Sequence, residues 1–125
     1  MKTHSLILSL FATFIFILPL QASAQDVGGV SFARVGVAQG PGAIPFAIQV
    51  ADYINANYDV NLTVATPIGG VVGTIIWRAE FASLAALEVF NQQILADEGY
   101  QTLIAAGPEH FAAGSLQDYI STRIH

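Results

Sequence analysis

The sequence predicts an α+β domain in which a four-stranded antiparallel sheet carries two helices on one face. Three observations lead there. The apolar residues switch from a strand period to a helix period and back, twice along the chain. A glycine-rich gap divides the middle into two short β-type runs, and strong turn signals follow the first strand and the second helix. The resulting order is strand, helix, strand, strand, helix, strand.

Residues 30–38, VSFARVGVA, are rich in β-branched and small residues and end at Gln39-Gly40-Pro41-Gly42, so they form the first strand. From Ala43 the period changes. Ile44, Ala47, Ile48, Ala51, Ile54 and Tyr58 recur three or four apart and mark one face of a helix, with Pro45 tolerated in its first turn. Residues 61–68, NLTVATPI, and 74–81, TIIWRAEF, flank Gly69-Gly70-Val71-Val72-Gly73 and read as a hairpin. The sequon Asn61-Leu62-Thr63 within the first of these runs is read as strand.

Ser83 then supplies a helix N-cap, its hydroxyl available to a free amide of the first turn. Leu84, Leu87, Phe90 and Ile94 carry the apolar stripe of the second helix. Asp97-Glu98-Gly99 interrupts it, Tyr100, Leu103 and Ile104 continue it briefly, and Gly107-Pro108 closes it. Residues 115–124, SLQDYISTRI, alternate as a last strand. Each half is a βαβ-type unit, which is the ferredoxin-like βαββαβ arrangement. One sheet face is left bare, and two copies packed sheet against sheet are the simplest way to cover it, so a homodimer is expected.

The chain's beginning reads as an export signal. Lys2 and His4 precede an apolar run of 13 residues from Leu6 to Leu18, then Pro19 and Ala22-Ser23-Ala24. A membrane-spanning helix needs roughly 20 apolar residues, so cleavage after Ala24 is expected, with residues 25–125 forming a single domain. That leaves 125 minus 24, or 101, residues in a periplasmic or extracellular chain with no membrane attachment. Losing Lys2 leaves 3 basic against 9 acidic residues, a net charge of −6. Nucleic acid and anionic membrane surfaces bind through clustered Lys and Arg, so neither is an expected partner. With no cysteine, disulfides, thiolate catalysis and Cys-ligated metal sites are excluded, and the fold rests on its core or on oligomerisation.

Three stretches carry a resemblance to a known group of proteins. They are Gly73-Thr74-Ile75-Ile76-Trp77, the step Glu80-Phe81-Ala82-Ser83-Leu84-Ala85-Ala86-Leu87-Glu88 from the third strand into the second helix, and Phe111-Ala112-Ala113-Gly114-Ser115 before the last strand. Over residues 30–124 the chain resembles the dimeric α/β-barrel superfamily, which includes antibiotic-biosynthesis monooxygenases and NIPSNAP-like proteins. The resemblance implies the dimeric barrel, and a range of activities from cofactor-independent oxygenation to haem degradation. Haem-degrading members use an Asn, a Trp and a His on the second helix. Residues 83–97 hold no histidine, so the chain departs from that pattern. No cofactor is expected.

Few residues suggest chemistry. His110 lies in a loop, Gly107-Pro108-Glu109-His110-Phe111, and reads first as a solvated loop histidine; His125 is terminal. No pair of ligands has metal-site spacing. Gly40-Pro41-Gly42 lacks the third glycine of a dinucleotide loop and any P-loop lysine, and is a turn. Ser83 has no His and Asp partners for nucleophilic catalysis.

The arginines say more. Arg34, Arg78 and Arg123 all fall within strands. Period two puts Ile75, Trp77, Ala79 and Phe81 of the third strand on the helix-packed face and Arg78 and Glu80 on the bare face. Phe32, Arg34 and Gly36, with Gln117, Tyr119, Ser121 and Arg123, are expected on that same bare face. Arg34, Arg78 and Glu80 would then form a cross-strand charge cluster beside the barrel lumen, serving either as an interface salt bridge or as a site orienting a carbonyl-bearing or anionic ligand.

The leading functional expectation is an exported homodimer binding a small, largely apolar ligand in a sheet-lined cavity, oriented by Arg34, Arg78, Glu80 and Tyr119. One alternative is a cofactor-independent monooxygenase or isomerase with Glu80 or His110 moving a proton and Trp77 or Tyr119 shaping the pocket. The other is a structural dimer whose lumen is filled by side chains.

Overall fold

The computed structural model describes residues 29–124; the expected export signal over residues 1–24 and the terminal His125 lie outside the described residues. The elements are β1 (Val30–Val37), α1 (Ala43–Asn57), β2 (Thr63–Ala65), β3 (Thr74–Phe81), α2 (Leu84–Leu95), α3 (Glu98–Ile104), a 3-10 turn (Gly107–Glu109) and β4 (Gln117–Thr122). The sheet order is β2-β3-β1-β4 and every neighbouring pair is antiparallel. This is the ferredoxin-like topology the element order predicts. β2 is only three residues long, shorter than its run in the sequence.

The second helix is two helices. Ser83 caps α2, its hydroxyl accepting from the amide of Ala86 at 3.1 Å. α2 ends at Leu95, and Asp97 caps α3 by accepting from the amide of Tyr100 at 3.0 Å. The other hydrogen bonds to the Asp97 carboxylate come from α1 and the residue that ends it: Tyr53 donates at 2.8 Å, and the Tyr58 hydroxyl also donates. The break in the apolar stripe is thus a corner tied to α1. Gly99 leaves room there for the Tyr53 hydroxyl, which a Cβ would displace.

β3 alternates as its sequence dictates, with Ile75, Trp77, Ala79 and Phe81 buried and Arg78 and Glu80 exposed. Ile75 and Val30 are the largest fully buried side chains, each worth roughly 1.5–3 kcal/mol in burial. Trp77 donates its indole N–H to the carbonyl of Ala47 at 3.0 Å, which pins β3 beneath α1.

Two expectations about faces are corrected. On α1 the buried set is Ala43, Phe46, Ala47, Val50, Ala51 and Ile54, while Ile44 and Ile48 are 51% and 46% exposed. Ala47, Ala51 and Ile54 belong to both patterns, so the stripe is rotated rather than lost. On β1 the register places Arg34 opposite Trp77 and opposite Asp118, and Phe32 opposite Ala79. Directly opposed residues of an antiparallel ladder share a face. Phe32, Arg34 and Gly36 therefore lie on the helix-facing side, and Ser31, Ala33 and Val35 on the bare side.

Gly36 has a packing reason for lacking a side chain. A Cβ there would sit 2.7 Å from Leu116 Cδ2 and 2.9 Å from Phe111 Cδ1, so the glycine lets both settle onto β1.

Candidate functional site

A cavity of about 680 Å³ lies between the helix-facing side of the sheet and the helices. The two central strands contribute Phe32, Arg34, Trp77, Ala79 and Phe81 to it. α1 adds Phe46, Val50 and Ile54, and the α2–α3 corner adds Phe90, Ile94, Tyr100 and Ile104. Phe111 and Leu116 come from the segment leading into β4. The walls are braced by aromatic contacts: Trp77 on Phe111 at 5.2 Å and Phe81 on Phe90 at 5.4 Å between ring centroids. Small-molecule sites typically occupy roughly 300–1,000 Å³, apolar with a few convergent polar groups, and this cavity has that size and character.

Its polar groups are few. Gln39, Asn91 and Tyr100 line it, the Trp77 indole N–H is already bonded to Ala47, and Arg34 is the one charged side chain among the lining residues. Arg34 donates from Nε to Asp118 Oδ1 at 2.6 Å and from Nη2 to Asp118 Oδ2 at 2.8 Å, a two-pronged pair across β1 and β4. The two side chains remain 39% and 43% exposed, so the pair contributes to positioning more than to stability. Hydrogen bonding to Asp118 raises the Arg34 pKa further above its ordinary value, and the charge is permanent. The Tyr100 phenol is buried, which pushes its pKa up, while the neighbouring Arg34 guanidinium pulls in the opposite direction.

The expected site residues are divided between two faces. Arg78, Glu80 and Tyr119 lie on the bare face as expected, around a separate depression of about 420 Å³. Arg78 and Tyr119 flank Ala33 in one cross-strand row, and Glu80 and Ser121 flank Ser31 in the next. The small central residues make the surface dip between larger neighbours. Arg34 is on the opposite side of the sheet, so the expected cluster of Arg34 with Arg78 and Glu80 does not form. Among the described residues the ion pair is Arg34 with Asp118.

His110 follows the 3-10 turn, stacks on Phe46 with ring centroids 4.8 Å apart, and gives its backbone carbonyl to the amide of Gln39 at 2.7 Å. It is half-buried and does not line the cavity. Tyr100, Asn91 and Asp118 were not singled out by sequence reasoning. An acidic residue in β4 paired with an arginine in β1 was the available signal for Asp118; for Asn91 there was none.

Known structures share this architecture. A NIPSNAP family protein from Agrobacterium tumefaciens aligns with a TM-score of 0.61 at 16% identity, over 78% of this chain and 89% of that one. A NIPSNAP-like domain protein from Burkholderia xenovorans gives 0.57 at 12% identity, over 76% and 84%. A variant of SnoaB, a cofactor-independent oxygenase from Streptomyces nogalater, gives 0.58 at 13% identity, over 78% and 94%. The chain shares the fold of these proteins. At such identity the likeness speaks to architecture alone. No protein-family model matches the sequence, and no curated protein does.

Proposed function

We propose that the chain is an exported homodimer that binds a small, largely apolar molecule in the cavity between its sheet and helices. The cavity carries the reading: about 680 Å³, walled by aromatic and aliphatic side chains, with Arg34, Tyr100, Asn91 and Gln39 as its polar contacts. The ligand site therefore sits within one chain, not between two sheets as the sequence suggested. Export rests on the order of charged, apolar and small residues over 1–24. Dimerisation rests on the bare sheet face, where Arg78 and Glu80 lie two residues apart and a two-fold axis would set each against the other in the second copy.

Glu80 lies across the sheet from the cavity and His110 does not reach it, so neither proton carrier of the oxygenase alternative stands at the cavity wall. This favours binding over turnover. The experiment is a titration of the purified protein with an uncharged fluorescent naphthalene probe, alongside Ala113→Trp, which places an indole at an exposed position on the cavity lining. Saturable binding that the tryptophan reduces is the expected result. Binding indifferent to Ala113→Trp, or no binding at all, counts against the reading.

A further inference from the structure

We infer that the cavity selects uncharged ligands bearing a hydrogen-bond acceptor and discriminates against anions, because Arg34 enters it already neutralised by Asp118. The inference rests on the ligand-binding reading above and concerns what that site accepts.

A lone arginine in an apolar cavity would ordinarily mark an anion site, since a guanidinium offers a carboxylate or sulfonate a matched pair of donors. Here that matched edge is taken. Nε and Nη2 both donate to Asp118, and the two residues stand directly opposite each other in the β1–β4 ladder, so the sheet itself fixes the pair. Asp118 is not among the cavity-lining residues; it holds Arg34 from the side. Of the five guanidinium N–H groups two are used, leaving both on Nη1 and one on Nη2.

What faces a ligand is therefore a donor without a net charge. The buried Tyr100 also lines the cavity, and its phenol, with an ordinary pKa near 10, adds a second neutral donor. A ketone, ester or phenolic oxygen can accept from these groups with no charge to compensate. An anion would instead bring a second negative charge beside Asp118, into walls that are otherwise aromatic and aliphatic and poorly able to solvate it. The remaining polar lining groups, Asn91 and Gln39, are neutral and do not change this balance.

The test compares two naphthalene probes by fluorescence titration: 6-propionyl-2-dimethylaminonaphthalene, an uncharged ketone, and 1-anilinonaphthalene-8-sulfonate, an anion. The wild-type protein should bind the ketone at least about tenfold more tightly. Since apolar walls alone would also favour the ketone, Asp118→Asn decides the matter. Freeing Arg34 should raise sulfonate affinity by about tenfold or more, so that the ratio of ketone to sulfonate affinity falls by a similar factor. The double variant Arg34→Gln with Asp118→Asn should abolish that gain.

Sulfonate affinity unchanged by Asp118→Asn, or equal to that of the ketone in the wild type, overturns the inference and leaves the ligand-binding reading standing. Failure of both probes to bind the wild type removes that reading first. Should Asp118→Asn not fold, Asp118→Ser titrated with the same two probes gives the same answer: a gain in sulfonate affinity of about tenfold supports the inference, and no gain overturns it.

Discussion

Trp77 and Ala47 are joined by a hydrogen bond of 3.0 Å from the indole N–H to a helical carbonyl, between the centre of the sheet and the middle of α1. It sets the height of α1 above β3 and, with it, the depth of the cavity beside Trp77. Replacing Trp77 by Phe removes the donor and part of a buried ring. The Ala47 carbonyl sits mid-helix, so the loss is mainly the bond and the vacated space, about 2–4 kcal/mol in all. Urea unfolding monitored by circular dichroism checks this, and a midpoint equal to that of the wild type would show that the bond contributes nothing.

The ties at Asp97 make stability depend on pH at both ends of the scale. Hydrogen bonds, first from Tyr58 and then from the Tyr100 amide and Tyr53, hold the Asp97 carboxyl below its ordinary value of 3.8. A folded-state pKa below the unfolded one means that this stabilisation is present above about pH 4 and is lost as pH falls through the folded value. Tyr58 behaves oppositely. Its bond to Asp97, helped by burial, pushes its pKa from 10.0 up to about 12, so its contribution is present below pH 10 and lost as pH rises towards 12. A series of urea midpoints against pH should fall at both extremes. Tyr58→Phe should shrink the alkaline fall without abolishing it, because hydrogen bonding to Asp97 also raises the Tyr53 pKa and burial raises that of Tyr100.

The bare face should respond to charge. If Arg78 meets Glu80 of the second copy, Glu80→Arg sets like charges together and should raise the dimer dissociation constant by about tenfold or more. Combining it with Arg78→Glu should restore association. Light scattering on size-exclusion peaks reads the outcome, and a dimer unaffected by either single reversal would place the interface elsewhere. Because Arg78 and Glu80 lie on the opposite side of the sheet from the cavity, probe affinity per chain should stay within about twofold in either variant.

Gly36→Ala should cost about 1–3 kcal/mol, since its Cβ would press on Leu116 and Phe111 in a packed region. Both of those side chains line the cavity, so the same substitution should also weaken binding of the uncharged probe. Calorimetric unfolding together with probe titration tests the pair of effects. A drop in stability with unaltered binding would mean that the strain is relieved away from the cavity.

How far the sequence could be read depended on how sharply each element contrasts its two sides. β3 sets Trp77 and Phe81 against Arg78 and Glu80, so its faces were legible. β1 offers Phe32, Arg34 and Gly36 on one side and Ser31, Ala33 and Val35 on the other, sets of nearly equal polarity, and a charged residue drew the assignment to the wrong side. The partner that lets Arg34 stay on the helix-facing side, Asp118, lies 84 residues away, beyond any local pattern. α1 is apolar nearly all round, and only Gln49, Asp52, Asn55 and Asn57 mark its solvent side; they share it with Ile44 and Ile48. The caps at Ser83 and Asp97 differ instructively. Ser83 is a local signal, while the tyrosines that reach Asp97 come from 39 and 44 residues earlier. The cavity had no local signature, because it is the space left where the helices, the sheet and the 107–116 segment meet.

The place of β1 at the centre of the sheet also governs when the molecule can assemble. Its two ladder partners are β3 and β4, and β4 is the last element among the described residues. One half of the β1 backbone thus has no ladder to join until residues 117–122 are available. Contacts spanning so much sequence form slowly. Asp118 arrives with β4, so the two-pronged Arg34–Asp118 pair beside the cavity forms only when that strand docks.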